Sequence, residues 1–217
     1  MSELLTGKRI LITQADQFMG PMLCEVLRAK GATVIADDSD LSMAGVAEKV
    51  VADSGRIDVL LANLSIPAPS TPAAQVSEEE WQAVFAALVS PLPRLCAAVL
   101  PQMVERRAGK ILLMGSASAL SGMKRASTYS AACGAQLAYT QAVGAAQAEH
   151  NIHINGIAQN FVENPTYFPP EVQANPRFQE RLKREVPLGR LVGAQEDAEF
   201  AAYLCSESAN CFVGQVF

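Results

Sequence analysis

The sequence has few of the residues from which metal centres and hydrolytic sites are built. It contains two histidines, His150 and His153, and its five cysteines include no C-x-x-C pair. This pattern argues against a zinc site and against a disulfide framework. No Gly-x-Ser-x-Gly motif is present, so a serine hydrolase is not indicated. We therefore expect no metal ion, and we expect most of the cysteines to be small apolar core residues.

Charge and long apolar runs are also scarce. Only 18% of the 217 residues are charged and the net charge is −5, which argues against a nucleic-acid partner. No run approaches 18 consecutive apolar residues, and the first eight residues lack an apolar core. We therefore expect neither a membrane span nor a signal peptide, and a cytoplasmic location. Half of the residues are apolar, which leaves room for an apolar pocket or a subunit interface beyond the core.

Strands and helices alternate along the chain. Apolar runs predict strands at residues 8–13, 32–37, 57–62, 110–115, 152–157 and 212–217. Helical spacing predicts helices at 22–30, 43–53, 78–107, 128–149, 171–184 and 195–206, with a kink or break near Pro91 and Pro93. This order predicts one α/β domain over residues 1–217, with an open parallel sheet flanked by helices. The site should lie where the strands end, at residues 13–20, 63–69, 115–126 and 158–170.

A set of ordered landmarks carries the first resemblance. Residues 55–63, Gly-Arg-Ile-Asp-Val-Leu-Leu-Ala-Asn, form a strand that ends in an asparagine, Ser116 follows the next strand, and Tyr129 comes after 12 further residues. In this order the landmarks resemble the short-chain dehydrogenase/reductase superfamily. The resemblance implies a Rossmann-like sheet in which the serine holds the substrate oxygen and the tyrosine hydroxyl acts as acid or base.

The loop after the first strand departs from that superfamily. Dehydrogenases of this type have Thr-Gly-x3-Gly-x-Gly there, because glycine lets the backbone approach a pyrophosphate. Residues 13–20 instead read Thr-Gln-Ala-Asp-Gln-Phe-Met-Gly. Gln14 and Phe18 replace two glycines, Asp16 adds negative charge where phosphate would sit, and the Phe18 ring would project into the nicotinamide region.

A second departure agrees with the first. Only 20 residues separate Asp37 from Asp58, too few for the further helix and strand that cradle adenosine. We therefore expect a sheet shortened at that edge and no bound cofactor. Asp37 remains open to two interpretations, as a ribose-binding acid or as part of a solvated turn.

The pattern Thr-x4-Phe-x-Gly with Ser-x12-Tyr resembles the halohydrin dehalogenases, which are cofactor-free members of the superfamily. Residues 159–169, Gln-Asn-Phe-Val-Glu-Asn-Pro-Thr-Tyr-Phe-Pro, are similar to their halide-binding loop, and Pro-Leu-Gly-Arg-Leu follows at 187–191. The resemblance runs from about residue 8 to residue 217. It implies a lyase that converts vicinal haloalcohols into epoxides and halide, and that also opens epoxides with small anions.

The resemblance also implies site residues. Tyr129 would remove the hydroxyl proton and Ser116 would bind the same oxygen. The backbone amides of Phe161 and Val162 would stabilise the halide, with Asn160 shaping the loop. Phe18 and Phe168 would line a pocket that excludes water.

Cys133 stands where dehalogenases carry arginine and dehydrogenases carry lysine. Tyrosine titrates near 10, and a cation about 4 Å away lowers its pKa by roughly three units, or about 4 kcal/mol at an effective dielectric constant of 20. Three interpretations stay open: Lys124 or Arg125 supplies the charge, the enzyme is slow, or the protein has no turnover. A nucleophilic Cys133 is a weaker fourth, because no histidine is positioned to activate it.

Two other functions and an assembly are also consistent with the sequence. The alternatives are an NAD(P)-dependent oxidoreductase with a degenerate cofactor loop and a non-catalytic oligomeric member. Residues 78–107 and 128–149 correspond to helices that form a four-helix dimer interface in family members, although ordinary packing needs the same apolar faces. We expect a homo-oligomer, a dimer of dimers. The sequence stops at Phe217 within a predicted strand, and we expect a missing C-terminal tail.

Overall fold

The computed structural model describes residues 4–217, whose centre is a five-stranded parallel sheet. The strands are β1 (Arg9–Thr13), β2 (Thr33–Asp37), β3 (Val59–Asn63), β4 (Gly109–Ser116) and β5 (Ile152–Gln159). Their order is β2-β1-β3-β4-β5, and every neighbouring pair is parallel. The predicted Rossmann-like α/β fold is confirmed.

Nine α-helices connect and cover the strands within residues 4–217. They are α1 (Gly20–Ala29), α2 (Val46–Ser54), α3 (Glu78–Leu88), α4 (Pro91–Glu105), α5 (Ser118–Ser121), α6 (Ser127–Gln147), α7 (Pro170–Gln173), α8 (Pro176–Glu185) and α9 (Ala194–Cys205). The predicted helix 78–107 is divided at Val89 and Ser90, as its prolines indicated. Pro91 begins α4, a position that needs no backbone N–H. The predicted helix 171–184 is likewise two helices, α7 and α8.

The sheet is short at the edge formed by β2. After Asp37 the chain passes through α2 and returns to the middle of the sheet as β3. Dinucleotide-binding sheets of order 3-2-1-4-5-6 carry another strand beyond this point. Residues on β2 are therefore only partly covered, whereas all five residues of β3 are buried. The predicted shortening is confirmed.

The opposite edge holds less strand than predicted. Residues 212–217 form one parallel bridge, between Gly156 and Val216. The Gly156 N–H donates to Gln215 O at 2.9 Å and the Phe217 N–H donates to Gly156 O at 3.0 Å. The segment thus begins to pair with β5, but the pairing is too short to count as a sixth strand.

Alternating residues of the inner strands are buried in two hydrophobic cores, one on each face of the sheet. On one face Ile10 and Ile12 pack with Leu23 of α1 and Ala201 of α9. On the other face Leu11 packs among residues of α2 and α4. Fully burying side chains of this size contributes about 1.5–3 kcal/mol each. Such burial on both faces explains why the strands read as continuous apolar runs.

Helices α3 and α4 together form a long apolar stretch. Within Glu78–Glu105, the most apolar 18-residue window has a mean hydropathy of 1.9, and 39% of it is buried. By length and composition alone this stretch could cross a membrane, a test that core helices of soluble proteins also pass. Leu95, Val99 and Met103 of α4 are fully buried in the sheet core, which is the environment that these apolar residues occupy in the fold.

Candidate active site

Four strand ends meet at the carboxyl edge of the sheet, where the site was predicted. Thr13, Asn63, Ser116 and Gln159 are the last residues of β1, β3, β4 and β5. The Thr13 hydroxyl donates to Asn63 O at 3.1 Å, and Ser116 pairs in register with Gln159. The strand ends therefore hold the side chains and loops that follow them in fixed relation.

A cavity of about 140 Å³ opens above these strand ends. All eight residues predicted for the site line it: Phe18, Ser116, Tyr129, Cys133, Asn160, Phe161, Val162 and Phe168. The remaining lining residues are apolar or neutral polar, and no Asp, Glu, Lys, Arg or His is among the described residues that line it. The structure thus places the eight predicted residues around one cavity, in an environment without a formal charge.

Helix α6 presents three cavity residues on one face. Tyr129, Cys133 and Gln136 are spaced by four and three residues, which places them on one side of a helix. Tyr129 is 8% exposed and Cys133 is 2% exposed. The Gln136 amide donates to Leu88 O at 2.6 Å, which ties this face of α6 to the end of α3.

Tyr129 and Cys133 are both electrically neutral in this setting. Burial is the largest cause that raises the pKa of Tyr129, Cys133 and Tyr167 raise it further, and a contact with Ser116 acts in the opposite direction. Burial also raises the pKa of the Cys133 thiol, against contacts with Ser118, Tyr129 and Ser116. Both groups are therefore protonated at neutral pH.

The nearby cations do not reach the cavity. Lys124 and Arg125 are exposed and neither lines it. The Arg125 guanidinium contacts Ser70, with Nε 3.3 Å from the hydroxyl and Nη2 3.4 Å from the carbonyl oxygen. The interpretation that Lys124 or Arg125 replaces the missing arginine is wrong for this structure.

Ser116 is held in place by its neighbour. Its hydroxyl donates to Ser118 Oγ at 3.0 Å and accepts from the Ser118 N–H at 3.2 Å. The hydroxyl is thereby fixed at the first turn after β4. Because a hydroxyl has one O–H, Ser116 can donate to a substrate oxygen only when this hydrogen turns from Ser118 Oγ into the cavity.

The loop between β1 and α1 keeps a glycine-like backbone without the glycines. Gln14 and Phe18 have φ angles of 45° and 49°. This left-handed region of the backbone costs residues other than glycine about 1–2 kcal/mol. The Gln14 side-chain oxygen accepts from the Ser65 N–H at 2.7 Å, and the Gln14 backbone carbonyl accepts from Asn63 Nδ2 at 2.9 Å. The Phe18 ring lies 5.8 Å from the Tyr167 ring, centroid to centroid. Side chains thus fill the space that glycines would leave open.

The residues around this loop do not fit a dinucleotide. The Asp16 N–H donates to Asp38 Oδ1 at 2.8 Å, and a side-chain hydrogen bond to Asp38 raises the pKa of Asp16. Two carboxyl groups therefore face each other beside the loop that approaches the pyrophosphate in dinucleotide-binding proteins. Asp37 accepts from the Ser39 hydroxyl at 2.8 Å, which favours its interpretation as part of a solvated turn.

The loop after β5 places aromatic rings and one free amide at the cavity. The Phe161 and Phe168 rings stack with centroids 6.1 Å apart. The Val162 N–H donates to the Asn160 carbonyl, which corrects the expectation that this amide is available to a halide. Among residues 4–217 the Phe161 N–H has no hydrogen-bond acceptor. Of the two amides predicted to hold the anion, only Phe161 is available in this conformation.

Comparison with known proteins places the chain in a family. A family model described as enoyl-(acyl carrier protein) reductase matches residues 6–217. The chain belongs to the short-chain dehydrogenase/reductase superfamily. It is 27% identical to the 3-oxoacyl-[acyl-carrier-protein] reductase FabG of Escherichia coli K12, over 96% of this chain and 94% of that protein. It is 30% identical to the FabG of Chlamydia muridarum, over 85% of this chain and 72% of that protein.

A solved structure described as "Dehalogenation enzyme" is also similar to this superfamily member. It is 28% identical, has a TM-score of 0.91, and the match covers 99% of this chain and 97% of the other. The alignment with the Escherichia coli reductase is 234 positions long, which exceeds this 217-residue chain and so requires gaps in it.

Two residues of this superfamily member were missed by the sequence reasoning. The Tyr167 hydroxyl donates to Ile66 O at 3.0 Å and accepts from the Ala68 N–H at 2.9 Å, and it adjoins Tyr129. Gln159 lines the cavity and donates to the buried carboxyl of Asp197. Burial raises the pKa of Asp197 to about 6, although the Gln159 contact opposes this. The sequence offered one indication that Tyr167 belongs to the site, namely its position beside Phe168 in the pattern that resembles a halide-binding loop.

Proposed function

We propose that this superfamily member is a cofactor-independent lyase of the halohydrin dehalogenase type, which converts vicinal haloalcohols into epoxides and halide. The observation that carries the proposal is the Phe18 side chain, which lines the same cavity as Ser116 and Tyr129 and packs on Tyr167. A phenyl ring there takes the space that a nicotinamide would need. The 28% identical dehalogenation enzyme supports the same conclusion.

The reaction needs a base, an oxygen-binding donor and a place for an anion. Tyrosinate at Tyr129 takes the proton from the substrate hydroxyl while the Ser116 O–H, which turns away from Ser118 Oγ, donates a hydrogen bond to the same oxygen. The alkoxide oxygen then bonds to the neighbouring carbon as the carbon–halogen bond breaks, and the halide leaves with the electron pair. No hydride is transferred: the products are the epoxide, the halide and the proton, which Tyr129 releases to solvent before the next turnover.

The departing halide would lie at the Phe161 end of the cavity. The free N–H of Phe161 would donate to it, and Phe168 would shield it from water. The Val162 N–H would contribute only if its hydrogen bond to Asn160 opens. In the reverse direction the same position would hold a small anion that opens the epoxide.

The neutral side chain at Cys133 sets the expected rate. Tyrosine with an ordinary pKa near 10 is ionised in about one molecule in a thousand at neutral pH, and burial raises the pKa of Tyr129 further. We therefore propose that the native chain is a slow enzyme in which a missing cation limits the supply of base.

The test is halide release from a small chloro- or bromoalcohol. Cys133→Arg should raise the rate by about a thousandfold, since a cation about 4 Å from the phenolate contributes roughly 4 kcal/mol. Cys133→Met is the matched control, because it adds length without charge, and Cys133→Arg combined with Tyr129→Phe should return the rate to the blank. A folded Cys133→Arg protein that releases no halide would overturn the proposal and favour a non-catalytic member.

A nicotinamide-dependent reductase is the second candidate, because the matched FabG relatives are named as reductases. Fluorescence titration with NADH and NADPH separates the two functions. The lyase proposal expects no saturable binding by the native chain. Tight binding would support the reductase, and the double variant Gln14→Gly/Phe18→Gly shows whether the two side chains are what blocks the nucleotide.

We further propose that the protein assembles with copies of itself. Trp81 of α3 is 41% exposed and stacks on Phe85 at 4.5 Å between ring centroids. An apolar helix face of this kind is suited to a subunit interface. Sedimentation equilibrium should report a dimer or tetramer, and Trp81→Glu should shift it toward the monomer.

A further inference from the structure

A second cavity lies at the opposite end of the sheet from the candidate active site. Its volume is about 90 Å³, and its walls come from residues at the amino ends of four strands and from the turn after α9. Lys8 precedes β1, Lys110 is the second residue of β4 and His153 is the second residue of β5. Glu207 and Asn210 complete the wall. The parallel arrangement gathers these charged and polar side chains at one edge.

Lys110 is the unusual residue of this cavity. It is only 6% exposed, and its Nζ amino group is buried with no hydrogen-bond partner among residues 4–217. Burial is the largest cause that lowers the pKa of Lys110, and Glu207 acts in the opposite direction. Buried polar groups are nearly always satisfied, so an unpartnered amine in a cavity wall points to a ligand.

The carboxylates of the cavity do not satisfy Lys110 because they are already paired. Glu207 lies 2.5 Å from Lys8 Nζ and also accepts from Asn210 Nδ2 at 2.7 Å. Asp58 accepts from Arg56 Nη2 at 2.8 Å and from the Arg9 N–H at 2.9 Å. With these two ion pairs formed, Lys110 is left as the surplus positive group.

We propose that this cavity binds a small oxyanion of phosphate size, with Lys110 as its central donor and Lys8 and Arg56 at its rim. The Lys8–Glu207 pair lies at the mouth, since the two side chains keep 30% and 67% of their surface exposed. An entering anion replaces Glu207 as the partner of Lys8. It then contacts Lys110, which lies deeper in the cavity. Three cationic groups, from the segments that precede β1 and β3 and from β4 itself, surround such an anion from several sides, which suits a tetrahedral oxyanion.

The two histidines give the proposal an internal control. His153 lines the cavity, whereas His150 lies outside its wall. Titration with inorganic phosphate at constant ionic strength, balanced with sodium chloride, should move the His153 proton NMR signal saturably and leave the His150 signal in place. A bound dianion should also raise the pKa of His153, and the variant His150→Gln assigns the two signals.

Variants of lysine complete the test. Lys110→Met should abolish the saturable shift, whereas Lys49→Met, which removes an exposed lysine paired with Asp53 on α2, should retain it. The proposal is overturned if neither histidine responds, if both respond alike, or if Lys110→Met keeps the full response. Acetate that saturates the His153 signal as well as phosphate does would overturn the assignment to a tetrahedral oxyanion. The lyase proposal does not enter any of these outcomes.

Discussion

The two ends of the sheet hold two different kinds of cavity. The cavity at the carboxyl ends of the strands is lined by neutral side chains around Tyr129 and Cys133. The cavity at the amino ends is lined by six residues of the Asp, Glu, Lys, Arg and His types: Lys8, Arg56, Asp58, Lys110, His153 and Glu207. Both are built on the same strands, so the contrast comes from side-chain choice and not from the fold.

This contrast determines which charges each cavity tolerates. In the neutral cavity burial is not offset by a countercharge, so the pKa of Tyr129 and that of Cys133 rise and a negative charge is disfavoured. In the charged cavity the carboxylates have partners, and hydrogen bonds lower the pKa of Glu207, with Lys8 the largest cause. Adding charge to the first cavity and removing it from the second are therefore the informative changes.

The largest expected effect comes from placing a cation in the neutral cavity. In the proposed lyase reaction tyrosinate is the active form, so the rate should rise with pH through the pKa of Tyr129. Cys133→Arg should lower this pKa and move the rising limb of the pH–rate profile toward lower pH by about three units relative to Cys133→Met. The measurement is kcat for halide release across the alkaline range. Coincident profiles for the two variants would show that charge at this position does not act on Tyr129.

Removing the unpartnered charge from the other cavity should stabilise the protein. Burial lowers the pKa of Lys110 in the folded state, so the charged ammonium destabilises the folded protein at neutral pH. The wild type regains this stability as the pH rises toward the pKa that Lys110 has in the unfolded chain. Lys110→Met should raise the free energy of unfolding at neutral pH by about 1–3 kcal/mol. Urea denaturation in phosphate-free buffer measures this, with Lys49→Met as the control that should change little. A destabilised Lys110→Met protein would mean that the amine is satisfied.

A smaller effect is expected at Asp197, the buried carboxyl that contacts the wall of the neutral cavity through Gln159. Its folded pKa of about 6 lies above the ordinary aspartate value of 3.8, and burial is the largest cause. Its contribution to stability is therefore present below the unfolded pKa and is lost as pH rises through about 6. The free energy of unfolding of Asp197→Asn should exceed that of the wild type by about 1–3 kcal/mol near pH 8 and equal it near pH 4. Equal unfolding curves at both pH values would contradict this assignment.

Most of the fold was readable from the sequence because its signals are local. Buried parallel strands appear as apolar runs, and Pro91 marks the division between α3 and α4. The interval between Asp37 and Asp58 was enough to predict the missing edge strand. The C-terminal pairing with β5 was overestimated, because apolar content does not report how many residues reach a partner.

The candidate site was predictable only where a motif carries it. Ser116, Tyr129 and Phe18 were located by spacing, and Cys133 was located by contrast with the same motif. Tyr167 was missed because its contacts with Ile66 and Ala68 join parts of the chain about a hundred residues apart. The hydrogen bond between Val162 and Asn160 depends on backbone dihedral angles that residue identity does not reveal. Within the described part of the chain Lys110 lacks a hydrogen-bond partner because the neighbouring carboxylates pair with other residues, which the sequence does not show either.

The positive φ angles of Gln14 and Phe18 bear on how this loop could change during evolution. The main chain already follows a path that glycine prefers, so exchanging both residues for glycine would alter side chains and leave the route of the backbone intact. The obstacles to acquiring a nucleotide are then the facing Asp16 and Asp38 carboxyl groups and the absent edge strand. A side chain can be exchanged by a single substitution, whereas an absent helix–strand unit cannot be restored in that way, so the two departures differ in how readily evolution could reverse them.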